Sequence, residues 1–198
     1  QMCIRDSYQG EEIGMTNPHF SQITDYRDVE SHNMFAELNG QGRDADELLA
    51  ILASKSRDNS RTPMQWDASQ HAGFTEGEPW INLCDNAAEI NVAAALSDAD
   101  SVFYTYQKLI ALRKVEPVIT WGDYQDLLPD SPHLWCYQRE WQGQRLLVIA
   151  NLSDTFQNWQ PVQADGNWQV LMHNYAEVAS QPGDMTLRPF EAVWWLQK

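Results

Sequence analysis

Arg57, Asp58 and Arg61 fall within five residues of one another, and Thr62-Pro63-Met64-Gln65-Trp66-Asp67 follows at once. A guanidinium presents five donors in a rigid fork, which suits carboxylates and vicinal hydroxyls. Pro63 disfavours helical backbone at Thr62, so a helix arriving from upstream should end near Arg61. That predicts a stiff, extended loop carrying Arg61. Taken alone, such a string is ordinarily a helix-end ion pair on a surface, worth about 0–1 kcal/mol.

Other chemistry-bearing groups are less promising. Glu11-Glu12 supplies two carboxyls, but glycoside hydrolysis with retention needs two about 5 Å apart across the bond. Adjacent residues point in different directions, so a structural role is expected. His19, His32, His71, His133 and His173 form no HxxxH or HxxE spacing, and no metal site is expected. Asp25, Asp28 and Glu30 lack the glycine and ligand order of a calcium loop and read as solvated charge near a helix start.

The elements that must position these residues are legible in part. Asp28 to Leu38 reads as a helix stopped by Gly40 and Gly42. Asp44 to Ser56 reads as a second, with Ala45, Leu48, Leu49 and Leu52 on one face and acids in its first turn. Residues 62–89 are irregular but carry anchors at Trp66, Phe74, Pro79 and Trp80, so the segment reads as functional rather than disordered. Ser101 to Lys114 reads as a third helix, with Val102, Tyr106, Leu109 and Ile110 on one face and Pro117 as its stop. The period then changes. Leu134–Trp141 and Arg145–Asn151 read as a hairpin through Gln142-Gly143-Gln144, with further strands at Asn167–His173 and Ala192–Gln197. A domain boundary is placed near residue 118.

Composition narrows the class. Hydrophobic residues make up 43% and charged residues 21%, ordinary for a globular chain. No run approaches the length of a membrane span. A net charge of −15 argues against nucleic acid and anionic membranes as partners. Outside Cys3, the thiols of Cys84 and Cys136 fit no zinc spacing, and two unmatched thiols without an export signal point to a reducing cytoplasm. Gln1–Ser7 lacks the apolar run of a signal peptide and is read as an artefact outside the fold. Nine tryptophans are many for 198 residues. Most, including Trp135, Trp141, Trp194 and Trp195, read as core, and Trp66 as the one nearest a sugar pocket.

The run Arg57–Asp67, with Ala72-Gly73-Phe74 and Gly77-Glu78-Pro79-Trp80-Ile81, resembles the α-glucosidase branch of the α-amylase superfamily (glycoside hydrolase family 13). Tyr8–Asn17, Asp25–Glu30 with Asn33-Met34-Phe35, Tyr104–Arg113 and Arg188–Ala192 resemble further segments in that family's order. The resemblance implies an α+β fragment: the closing helices and loops of a (β/α)8 TIM barrel over 8–118, then an antiparallel β-sandwich over 119–198. It implies catalytic acids lying upstream of these residues, so none is assigned here, and no cofactor. It implies that Arg61 helps hold the non-reducing glucose. Arg57 is a second candidate substrate-binding residue, or a brace of the loop with Asp58. The likeness is closest to the phosphotrehalase group, at Gly166-Asn167-Trp168 and Leu187–Ala192 with Trp194–Lys198. The implied substrate is a small sugar or sugar phosphate: trehalose 6-phosphate, cleaved to glucose and glucose 6-phosphate. The alternatives are an oligo-1,6-glucosidase and, from another class, a non-catalytic sugar-binding or structural β-domain.

Overall fold

A computed structural model describes residues 8–160 and 165–198. Gln1–Ser7, and with it the reading of that heptapeptide, lies outside the described residues. The chain forms two compact units, one running to Gln107 and one from Lys108 to Lys198.

In the first unit, α1 (Val29–Gly40) and α2 (Ala45–Lys55) pack side by side. The Asp44 carboxylate caps α2 by accepting from the backbone N–H of Asp46 and Glu47 at 3.0 and 3.1 Å. Leu48 and Leu52 of its apolar face are buried. Leu52 joins Phe20, Tyr26 and Ile81, with Phe20 edge-on to Tyr26 at 5.2 Å, to form the unit's core. A short 3-10 turn, Arg57–Ser60, follows α2 directly. The long segment after it is pinned rather than loose. Trp66 and Asp67 donate to the Ala72 carbonyl, and the Gln65 side chain reaches the Ile90 carbonyl. Asn91 caps the short α3 (Val92–Ser97), accepting from Ala94 at 2.8 Å.

α4 (Val102–Val115) has no buried residue. Val102 and Ile110 of its expected apolar face are half exposed. Pro117 does not merely stop it. With Glu116 as N-cap, Pro117 opens α5 (Pro117–Trp121), because its fixed φ and missing N–H suit a first helical turn.

Every strand among the described residues lies in the second unit, and every pairing is antiparallel. β1 (Asp123–Asp126), β2 (Leu134–Trp141), β3 (Gln144–Asn151), β5 (Gln169–His173) and β7 (Ala192–Gln197) form a sheet in the order β1-β2-β3-β7-β5. β4 (Gln157–Trp159) and β6 (Met185–Leu187) form a second, two-stranded sheet. The β2–β3 connection is a two-residue turn, Gln142-Gly143, with φ of 49° and 85°, since Trp141 already pairs with Gln144. The two sheets close on a core of Cys136, Leu147, Ile149, Trp159, Leu187 and Trp195, with Trp159 stacked on Trp195 at 5.9 Å. Leu146 and Val148 point to the opposite face of β3 and bury against Val118 of α5. β3 is therefore apolar on both faces, as its continuous Leu-Leu-Val-Ile run requires.

One tryptophan reading needs correction. Trp135 is 43% exposed, because it points to the face of β2 opposite the buried Leu134 and Cys136. Trp80, like Trp66, is about half exposed. No helix among the described residues is long and apolar enough to cross a membrane.

Candidate functional site

The arginine loop is organised around Asp58, whose side chain is fully buried. Its backbone N–H donates to the Ser56 hydroxyl at 3.2 Å, which starts the 3-10 turn. One carboxylate oxygen, Oδ2, accepts the backbone N–H of Arg27 at 2.8 Å and of Asp28 at 2.9 Å. The other, Oδ1, accepts Arg61 Nη2 at 2.6 Å. Three charge-assisted bonds are what make a buried carboxylate tolerable. Burial, and after it the charges of Asp58 and Asp25, push the Tyr26 phenol above its ordinary range.

Arg61 is not in an extended loop. It closes the 3-10 turn at φ −120°, ψ 6°, because its N–H still bonds the Asp58 carbonyl. Pro63 constrains Thr62 but leaves Arg61 free to complete the turn. This folds the side chain back over Asp58 and places the guanidinium carbon 5.5 Å from the centre of the Trp80 ring. The Arg61 side chain keeps 39% of its exposure. The Trp80 carbonyl is held by Arg27 Nε at 3.0 Å.

Arg57 pairs with neither Asp58 nor Arg61. It reaches Asp28 Oδ1 at 2.9 Å and Glu30 Oε2 at 3.0 Å. Asp28 is buried, not solvated as its sequence setting implies, and Arg57 together with the Ser31 hydroxyl at 3.3 Å is what holds it. Asp28 Oδ1 also lies 3.7 Å from Arg61 Nη2, so the two arginines share one acid.

Glu11 and Glu12 diverge as expected. Glu11 accepts the Tyr106 hydroxyl at 2.9 Å, and Glu12 folds back onto the Gly10 N–H at 2.9 Å. A cavity of about 330 Å³ opens beside this segment, lined by Tyr8, Glu11, Thr16, Asn59 and Thr62 among others. The Oδ1 of Asn59 is a buried acceptor without a partner among the described residues. Among those residues no cluster of three or more His, Cys, Asp or Glu side chains could hold a metal ion. Cys84 and Cys136 are both buried and unpaired, and burial pushes the Cys136 thiol up to about 12, out of the reactive range.

The sequence brought Arg57, Asp58 and Arg61 forward and missed Asp28 and Trp80. They lie 33 and 19 positions from Arg61 along the chain, and only the tertiary fold brings them to it. The Pro79-Trp80 pair was a weak signal, legible as an anchor but not as a neighbour of Arg61.

Residues 4–122 match the family described as alpha amylase, catalytic domain. The chain belongs to the α-amylase family. Among curated members it is 75% identical over 191 residues to the trehalose-6-phosphate hydrolase of Escherichia coli K12, covering 96% of this chain and 35% of that one. It is 47% identical over 195 residues to the oligo-1,6-glucosidase of Heyndrickxia coagulans, covering 96% and 34%. Among solved structures it superposes on the trehalose-6-phosphate hydrolase of Bacillus licheniformis with a TM-score of 0.92 at 45% identity, covering 96% of this chain and 35% of that one. The chain thus spans about a third of the length of these relatives. Within the α-amylase fold, its helices and loops belong to the TIM-barrel domain and its antiparallel sheets to a β domain.

Proposed function

We propose that these residues serve as about a third of a retaining α-glucoside hydrolase that cleaves trehalose 6-phosphate to glucose and glucose 6-phosphate in the cytoplasm. The observation that carries the reading is 75% identity to a trehalose-6-phosphate hydrolase across 96% of the chain, against 47% to an oligo-1,6-glucosidase over the same span. The second relative keeps cleavage of isomaltose-type ends as the competing reading. In this proposal the nucleophile and the acid/base carboxyl come from residues outside the chain, and this chain contributes sugar positioning. Arg61 is the residue assigned to the grip, because it keeps part of a planar fork exposed while anchored from behind. Arg57, committed to Asp28 and Glu30, serves the loop more than the sugar.

The test is a chimaera in which this chain replaces the matching third of the Escherichia coli relative. The expected result is hydrolysis of trehalose 6-phosphate well above that of isomaltose. A preference for isomaltose would instead establish the oligo-1,6-glucosidase reading. In the same background, Arg61→Ala should lower kcat/KM by about ten- to a hundred-fold, the size of one charge-assisted bond of roughly 1.5–3 kcal/mol. Arg61→Lys should not restore it, because an ammonium is a point donor. A folded Arg61→Ala enzyme with near-normal kcat/KM would remove Arg61 from the site.

A further inference from the structure

We infer that Asp58 and Trp80 are positioning residues for Arg61, an inference that rests on the reading of Arg61 as the sugar-gripping arginine. A free arginine side chain samples many rotamers, and a grip on ring hydroxyls requires one of them to be occupied before the sugar arrives. Asp58 supplies that constraint from a fixed base. Both of its oxygens are committed: Oδ2 to two successive main-chain N–H groups of another segment, and Oδ1 to Arg61 Nη2. The carboxylate cannot swing without breaking two bonds to Arg27 and Asp28. Arg61 inherits that rigidity through a 2.6 Å bond.

Trp80 limits the remaining freedom. With its indole 5.5 Å from the guanidinium carbon, it restricts the plane of the fork, and Arg27 holds the Trp80 backbone at 3.0 Å. Arg27 thus serves both supports, through its N–H to Asp58 and its Nε to Trp80. Among the described residues no hydrogen bond occupies Nε or Nη1 of Arg61, so the anchored fork still has donors to offer. Asp28, at 3.7 Å, lies too far for a hydrogen bond to Arg61 but close enough to share its charge. Asp58 and Trp80 therefore touch no reacting atom and act through Arg61.

Two measurements test this. In the 198-residue chain, guanidinium NMR should show slowed rotation and exchange at Arg61 Nη2, assigned by its loss in Arg61→Lys. Asp58→Asn should abolish the slow signal, and Trp80→Leu, at an exposed position, should broaden it with the fold intact. A slow Arg61 signal surviving in both variants overturns the positioning role. In the chimaeric enzyme, Asp58→Asn should lower kcat/KM by about ten-fold, the loss of one charge-assisted bond. It should cause no further fall when Arg61 is already alanine. Multiplicative effects of the two substitutions would mean that Asp58 acts independently of Arg61, and would also overturn the inference. If Arg61→Ala alone leaves kcat/KM unchanged, the sugar-gripping reading itself fails, whatever the NMR shows, and a grip has nothing to be positioned for.

Discussion

Glu191→Gln is the substitution whose effect on the β unit the structure specifies most closely. The Glu191 carboxylate is 2% exposed and accepts three bonds from one residue: the Arg188 backbone N–H at 2.8 Å, Nε at 2.9 Å and Nη2 at 2.8 Å. The bonds bridge a tight turn in which Phe190 stands at φ 55°, a conformation side chains rarely adopt. The Glu191 carbonyl also receives the N–H of Asn151 at the end of β3. These bonds hold the Glu191 carboxyl below its ordinary pKa, chiefly through the Arg188 side chain. Glutamine keeps the shape and loses the charge. Hydrogen bonds to a charged group contribute about 1.5–3 kcal/mol, and the partly exposed donor side points to the lower end, about 1.5 kcal/mol. For a domain of this size that lowers Tm by roughly 6–12 °C. The pH dependence follows from the direction of the shift. A carboxyl whose folded pKa is depressed contributes stability fully above its unfolded pKa, about 4.3, and loses it as pH falls through the folded pKa. The parent and Glu191→Gln chains should therefore differ most near pH 7 and converge in acid. Thermal melts followed by near-ultraviolet circular dichroism, which reports the stacked Trp159–Trp195 pair, measure both. A gap in Tm that stays constant down to pH 3, or none at pH 7, would refute the charge-based account.

The 198-residue chain alone should show no turnover of trehalose 6-phosphate or p-nitrophenyl α-glucoside, since double displacement needs two placed carboxyls and Glu11 and Glu12 diverge onto Tyr106 and Gly10. Turnover surviving repurification would sink that expectation. Expressed separately, residues 108–198 should melt cooperatively, because the cores around Trp195 and Val118 both lie wholly within them, whereas 8–107 should aggregate. A soluble, cooperative 8–107 piece would contradict this. Gly10→Ala should destabilise the chain by more than about 1 kcal/mol, because φ is +91° and a methyl there would sit 2.6 Å from the Met15 sulfur. An unchanged melt would show that Met15 can move aside.

What the sequence disclosed, and what it did not, divides by the range of the forces involved. α2 was legible because its cap, its apolar period and its terminal charges all lie within thirteen residues and agree. The β2–β3 hairpin was legible because the Gly143 turn signal and the short strand-like runs that flank it act locally. β1, β4 and β6 were not, since three or four residues carry too little pattern, and their pairing partners supply the reason they are strands at all. The site divides in the same way. Composition and spacing could mark Arg57, Asp58 and Arg61, but not which acid each arginine would take. Asp58 goes to Arg61 because both lie on one 3-10 turn. Arg57 goes to Asp28 because α1 presents a buried carboxylate there, a contact made across twenty-nine residues. A buried acid is defined by the donors that surround it, and those donors are tertiary. α4 was legible as a helix, the expected Ser101–Lys114 matching Val102–Val115, but what its face would meet was not. Its period named an apolar face over Val102, Tyr106, Leu109 and Ile110, yet Val102 and Ile110 are about half exposed and none of the four is buried, because periodicity specifies which side of a helix avoids water and leaves open what will cover it.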